Sequence, residues 1–95
     1  MKYFDWNTEK NEELKLNRDI SFEEVVFHIM GEGLLDIIEH PNREKYENQK
    51  VFIVSVENYV YLVPFVESDD VIFLKTIIPS RKMTKKYLGG TENEN

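Results

Sequence analysis

The residues best suited to chemistry lie together near the end of the chain. From Val71 to Gly90 no acidic residue occurs, while Lys75, Arg81, Lys82, Lys85 and Lys86 place five positive charges in a protein of formal net charge -6. A compact cationic patch on an acidic body focuses field locally, so it can hold phosphates or an acidic partner that the whole molecule would repel. Residue types then suggest a reaction. Metal-free cleavage of RNA needs a base for the 2′-hydroxyl proton, cations for the crowded phosphate and an acid for the leaving 5′-oxygen. Arg81 can grip two phosphate oxygens, Lys50 and Lys82 can act as point charges, and Tyr87 or His40 can move a proton. Lys75, Lys85 and Lys86 extend the same basic surface as RNA-binding candidates.

Other chemistries find little to work with. There is no cysteine, which excludes disulfides and thiolate metal sites. No glycine-rich phosphate loop, nucleophile elbow or metal-binding His/Glu spacing occurs, so no cofactor and no metal are expected. His28 reads as a helix-boundary residue, and His40, beside Pro41, sits at a strand-to-loop junction. Apolar runs are far shorter than the roughly 20 residues of a membrane helix, and the N-terminus lacks a cationic-then-apolar leader, so a cytoplasmic protein without membrane contact is expected.

The elements that must position these residues show as two changes of period. Residues 2–6 alternate and carry aromatics, as a short strand does. Asn7 can cap a helix over 8–17, and Ser21-Phe22-Glu23-Glu24 forms a capping box before Val25, Val26 and Ile29, with Gly31 and Gly33 ending the helix after Met30. Beyond Gly33 the pattern turns to strands at 34–39, 50–56, 59–66 and 71–78, with a polar loop over 40–48 and hairpin turns at Glu57-Asn58 and 67–70. Pro79 closes the last strand, Ser80 caps a short basic helix over 81–88, and Gly89 stops it. Pro64 cannot donate to a ladder and implies a bulge or a locally unpaired edge.

A two-residue turn at Glu57-Asn58 puts Lys50, Phe52, Val54, Val56, Tyr59, Tyr61 and Phe65 on one sheet face, and Val51, Ile53, Val60, Leu62 and Val66 on the other. The aliphatic face is expected to pack on the helices. The aromatic face is then open, and Tyr59, Tyr61 and Phe65, joined to the 81–86 cluster, offer a surface for a protein partner. The fold class is α+β: N-terminal helices on a mostly antiparallel sheet of four to five strands, with a short basic C-terminal helix. One domain over 1–88 and a flexible tail over 89–95 are expected.

Phe4-Asp5-Trp6-Asn7 with Lys10, Ser21-Phe22-Glu23-Glu24, and Ile77-Ile78-Pro79-Ser80-Arg81-Lys82-Met83-Thr84-Lys85 resemble, in that order, motifs of the BrnT family of bacterial toxins. The resemblance spans nearly the whole chain. It implies a RelE-like fold, metal-independent mRNA endoribonuclease activity, and neutralisation by a cognate BrnA-like antitoxin that alone supplies the DNA-binding element. Two positions depart from the family. Asn17-Arg18-Asp19 stands where the family commonly has Lys-His-Gly, and Gln49-Lys50 where it often has Glu-Arg, which replaces a forked donor by a point charge. The alternative function is a non-catalytic protein- or RNA-interaction module on the same fold.

Overall fold

The computed structural model describes residues 2–42 and 44–89. Its elements are β1 (Tyr3–Trp6), α1 (Thr8–Arg18), α2 (Phe22–Met30), β2 (Leu34–Glu39), β3 (Gln49–Val56), β4 (Tyr59–Glu67), β5 (Val71–Leu74), β6 (Ile78–Pro79) and α3 (Arg81–Tyr87). The helix starts follow local chemistry. Asn7, Ser21 and Ser80 each accept a hydrogen bond from the amide three residues on, those of Lys10, Glu24 and Met83. The expected tail over 89–95 lies outside the described residues from Gly90 onward.

The sheet runs β1-β5-β4-β3-β2, with β6 beside β4, and every pairing is antiparallel except that of β1 with β5. It therefore holds six strands among the described residues, more than the expected four to five. The extra one arises where the single strand expected over 71–78 breaks. β5 pairs with Phe65–Glu67 and β6 with Tyr61 and Leu62, so the gap falls opposite Val63 and Pro64. Pro64 has no amide hydrogen for a continuous ladder, although its carbonyl still accepts from Lys75 N at 2.8 Å. The break sends Ile77 into the core and aims the chain into α3.

Register decides which face packs against what. Leu14, Ile20, Phe22 and Val25 from the helical layer meet Phe52, Val54, Val56, Val63, Phe65, Leu74 and Ile77. The aromatic face of the sheet, and not the aliphatic one, is thus the core under α1 and α2. Phe52 and Phe65 stack with centroids 3.9 Å apart, and Trp6 stacks on Phe22 at 5.6 Å. The aliphatic face is closed as well: Val51, Ile53 and Val60 are buried there, on the side where α3 packs against β4. Both faces are apolar, so alternation could not tell one from the other; volume decides, since the wide gap beneath two helices needs aromatic rings to fill it.

Two tight places show how little slack the chain has. A Cβ on Gly33 would come within 2.7 Å of Ser55 O and 2.8 Å of His28 Cβ, so only glycine lets β2 leave α2 this close to β3. Asp19 ends α1 at φ 55, in the left-handed region that glycine adopts without strain. Asp19→Gly is expected to raise stability by about 1 kcal/mol, read as a higher urea midpoint.

Asn11 is the buried polar residue of the helical layer, 3 % exposed. Its Oδ1 accepts from Phe22 N and its Nδ2 donates to Glu23 Oε1, both at 2.8 Å, so it satisfies an otherwise orphaned donor at the start of α2. The amide also holds the Glu23 carboxyl below its ordinary range. Asn11→Ala leaves the Phe22 amide buried and unpaired and is expected to cost about 2 kcal/mol in denaturant unfolding. Because the folded pKa of Glu23 is lowered, its contribution is full above the unfolded value and fades as pH falls through the folded one. The variant should therefore lose less stability than wild type on acidification below pH 4.5.

Candidate nucleic-acid interface

At 100° per residue, Arg81, Lys85, Lys82 and Lys86 fall in angular order on one side of α3. All four are exposed, whereas Met83, Thr84, Tyr87 and Leu88 turn inward and are partly covered. The basic residues thus form one stripe along the outer surface of the helix. The ion pairs among the described residues join Lys2 to Glu67, Lys10 to Glu13 and Lys15 to Glu12, and none draws on α3. Lys75 lies on the same side of the sheet. Its Nζ lies 5.8 Å from the centre of the Phe73 ring, and Phe73 pairs with Val66 on the α3 side of the sheet.

The helix is held by its polar inner residues. Ser80 N donates to Val60 O at 3.0 Å, and Val60 N donates to Thr84 Oγ1 at 2.9 Å, which pins α3 to the free edge of β4. Asp36, Ile53, Leu62 and Ile78 are register neighbours and share one face. Tyr87 reaches across that face, its hydroxyl donating to Asp36 Oδ2 at 3.1 Å. Desolvation, then the Asp36 hydrogen bond and charge, push the Tyr87 phenol above its ordinary value. Its proton stays on oxygen at neutral pH, so it serves as a donor. Asp36, a partner that residue type alone did not single out, belongs to this group.

The other candidates lie elsewhere. Lys50 shares its face with Phe52 and Phe65, opposite α3, at a shallow hollow of about 370 Å³ with Glu39, Glu47 and Glu67. Lys2 bonds Glu67 at 2.6 Å there, and this hydrogen bond lowers the Glu67 pKa. His40 packs against Tyr46 in a tilted arrangement with centroids 4.3 Å apart, and its Nδ1 accepts from Asn42 N at 3.1 Å, which leaves Nε2 to carry the proton of the neutral ring. The four residues expected to carry catalysis are therefore not gathered at one point: Arg81 and Tyr87 share α3, while Lys50 faces the other way and His40 lies past the end of β2.

The expected partner surface also divides. Phe65 is only 3 % exposed and belongs to the core, so it offers a partner nothing. Tyr59 and Tyr61 meet edge to face at 5.6 Å on the sheet side that α1 and α2 cover, and burial raises the Tyr61 pKa. They do not share a face with the basic stripe. Amino-acid type showed an aromatic row and a cationic row, but only strand register reveals that they occupy opposite faces.

No group of three or more His, Cys, Asp or Glu side chains among the described residues is arranged to hold a metal ion. No helix among them is long and apolar enough to cross a membrane. No protein-family model matches the chain, and neither a curated protein nor a solved structure matches it significantly.

Proposed function

We propose that this chain is a BrnT-like toxin of a type II toxin–antitoxin pair. It acts as a cytoplasmic, metal-independent mRNA endoribonuclease with a RelE-like fold, held silent by a BrnA-like antitoxin. The observation that carries the reading is the cation stripe of α3, which no ion pair among the described residues neutralises, with Lys75 on the same side, a track for a polyanion on an otherwise acidic protein. The motif resemblance supports it further, because its three segments coincide with the three helix caps, at Asn7, Ser21 and Ser80.

In this reading Arg81 binds the scissile phosphate and stabilises the charge that builds on it, while Lys82, Lys85, Lys86 and Lys75 hold flanking phosphates. Tyr87 supplies the proton to the leaving oxygen, and solvent water takes the 2′-hydroxyl proton. Arg81 and Tyr87 stand six residues apart, about 9 Å along the helix axis, so both act on one scissile phosphate only when it lies between their side chains. The Asp36 carboxylate accepts a hydrogen bond from the phenol and orients it, and water returns the proton after transfer.

The placement of Lys50 and His40 away from Arg81 favours a second reading, a non-catalytic module that binds RNA or protein through the same stripe. One experiment separates the two. Purified, antitoxin-free protein is incubated with end-labelled mRNA in excess EDTA, and binding is followed in parallel by fluorescence polarisation. Cleavage under these conditions supports the toxin; binding without cleavage establishes the module; neither binding nor cleavage removes both.

A further inference from the structure

Acidic residues are as segregated as basic ones. From Asp19 to Asn42 the chain carries Asp19, Glu23, Glu24, Glu32, Asp36 and Glu39, and no lysine or arginine. This stretch builds α2 and β2, which lie against each other at the sheet edge remote from β1. The same stretch bears three of the large apolar residues left in solvent: Phe27 at 75 %, Met30 at 74 % and Ile37 at 48 % exposed. Phe27 and Met30 are neighbours at i and i+3 on α2, with Glu23 one turn before Phe27 on the same side. Scattered exposed apolar residues are ordinary, but a helical pair set in a stretch that carries acidic residues and no lysine or arginine of its own is a patterned surface.

We infer that the α2–β2 edge is a docking surface for a cationic amphipathic helix of a partner protein. Phe27 and Met30 receive its apolar stripe, and Glu23 and Glu32 face its lysines or arginines. Three observations select this occupant. The acidic border repels RNA, so the polyanion belongs to α3 on the other face of the sheet. Strand addition on β2 is opposed because Ile37 N is already bonded to Asp36 Oδ1 at 2.8 Å, which blunts the edge. The basic helix of a second copy fits badly, since the outward side of α3 offers Arg81, Lys82, Lys85 and Lys86 without apolar residues to meet Phe27 and Met30. The inference stands whether or not α3 cleaves RNA.

The test uses a fluorescein-labelled peptide of about four helical turns, with leucines at i, i+3, i+4 and i+7 spacing and lysines elsewhere. Its controls are the leucine/glutamate counterpart and a scrambled leucine/lysine isomer. The patterned cationic peptide is expected to bind the full chain in anisotropy titrations and to shift amide resonances of α2 and β2. Phe27→Ser with Met30→Ser should weaken binding about tenfold or more, as loss of central apolar contacts does; circular dichroism confirms that the variant is folded. Glu32→Lys, an exposed charge reversal, should weaken binding without touching the apolar pair. Unchanged affinity in both variants, equal binding of the glutamate or scrambled peptide, or shifts confined to α3 overturns the proposal. So does a dimer in light scattering that the serine variant converts to monomer, because a second copy then occupies the surface.

Discussion

Arg81→Ala is expected to abolish RNA cleavage and toxicity while the protein stays folded. Arg81 is exposed at the start of α3, and the helix is anchored without it, through Ser80, Thr84 and Tyr87. Its removal therefore leaves the scaffold in place and, under the proposed function, takes away a phosphate contact. If the guanidinium stabilises charge that develops in the transition state, the loss should be on the order of 3 kcal/mol, or roughly 10²–10³ in rate, as for removal of an oxyanion donor. Arg81→Lys keeps the charge but not the planar fork and should recover only part of the activity. Single-turnover cleavage of labelled RNA measures both. A folded Arg81→Ala protein that cuts at the wild-type rate would falsify the assignment of Arg81 to catalysis.

Phe65→Ala should unfold the domain or bring it close to unfolding. The ring is 3 % exposed and stacked on Phe52 beneath the helices, and truncating such a residue costs about 3–5 kcal/mol once the cavity is included. A small domain has roughly 5–15 kcal/mol to lose, and each kcal/mol lowers Tm by about 4–8 °C. Tyr59→Ala, at a half-exposed hairpin position, should cost about 1 kcal/mol or less. Thermal melts followed by circular dichroism compare the two. Similar small losses in both variants would show that the aromatic face is an open surface after all. The contrast also separates folding from recognition: any partner-binding defect in Phe65→Ala would report loss of the core.

Much of the architecture is legible in local chemistry. Asn7, Ser21 and Ser80 act within three residues of themselves, and the Glu57-Asn58 turn needs only two residues at positive φ, 52 and 69. Each is decided by neighbours along the chain, so residue type suffices to place it. The change from helical to strand period after Gly33, the hairpin register and the α+β class follow from the same local rules. Charge segregation is likewise a property of order along the chain, and the helical period turns Arg81, Lys82, Lys85 and Lys86 into one stripe without reference to any other element.

What remained hidden depends on contacts between distant residues. Both faces of the β3–β4 hairpin are apolar, so only the docking of α1 and α2 on one side and α3 on the other assigned Phe65 to the core and separated Tyr59 and Tyr61 from the basic stripe. Lys50 and Arg81 look equally available in the primary structure; strand register puts them on opposite faces. Asn11 has the composition of an exposed helical residue, yet the return of the chain at Phe22 buries it and gives it two partners. Asp36 and Tyr87 are 51 residues apart and meet only because α3 crosses the sheet. Local hydrogen bonding and periodicity write the elements into the sequence, whereas the choice of face, and with it the membership of the site, rests on long-range packing that no short stretch encodes.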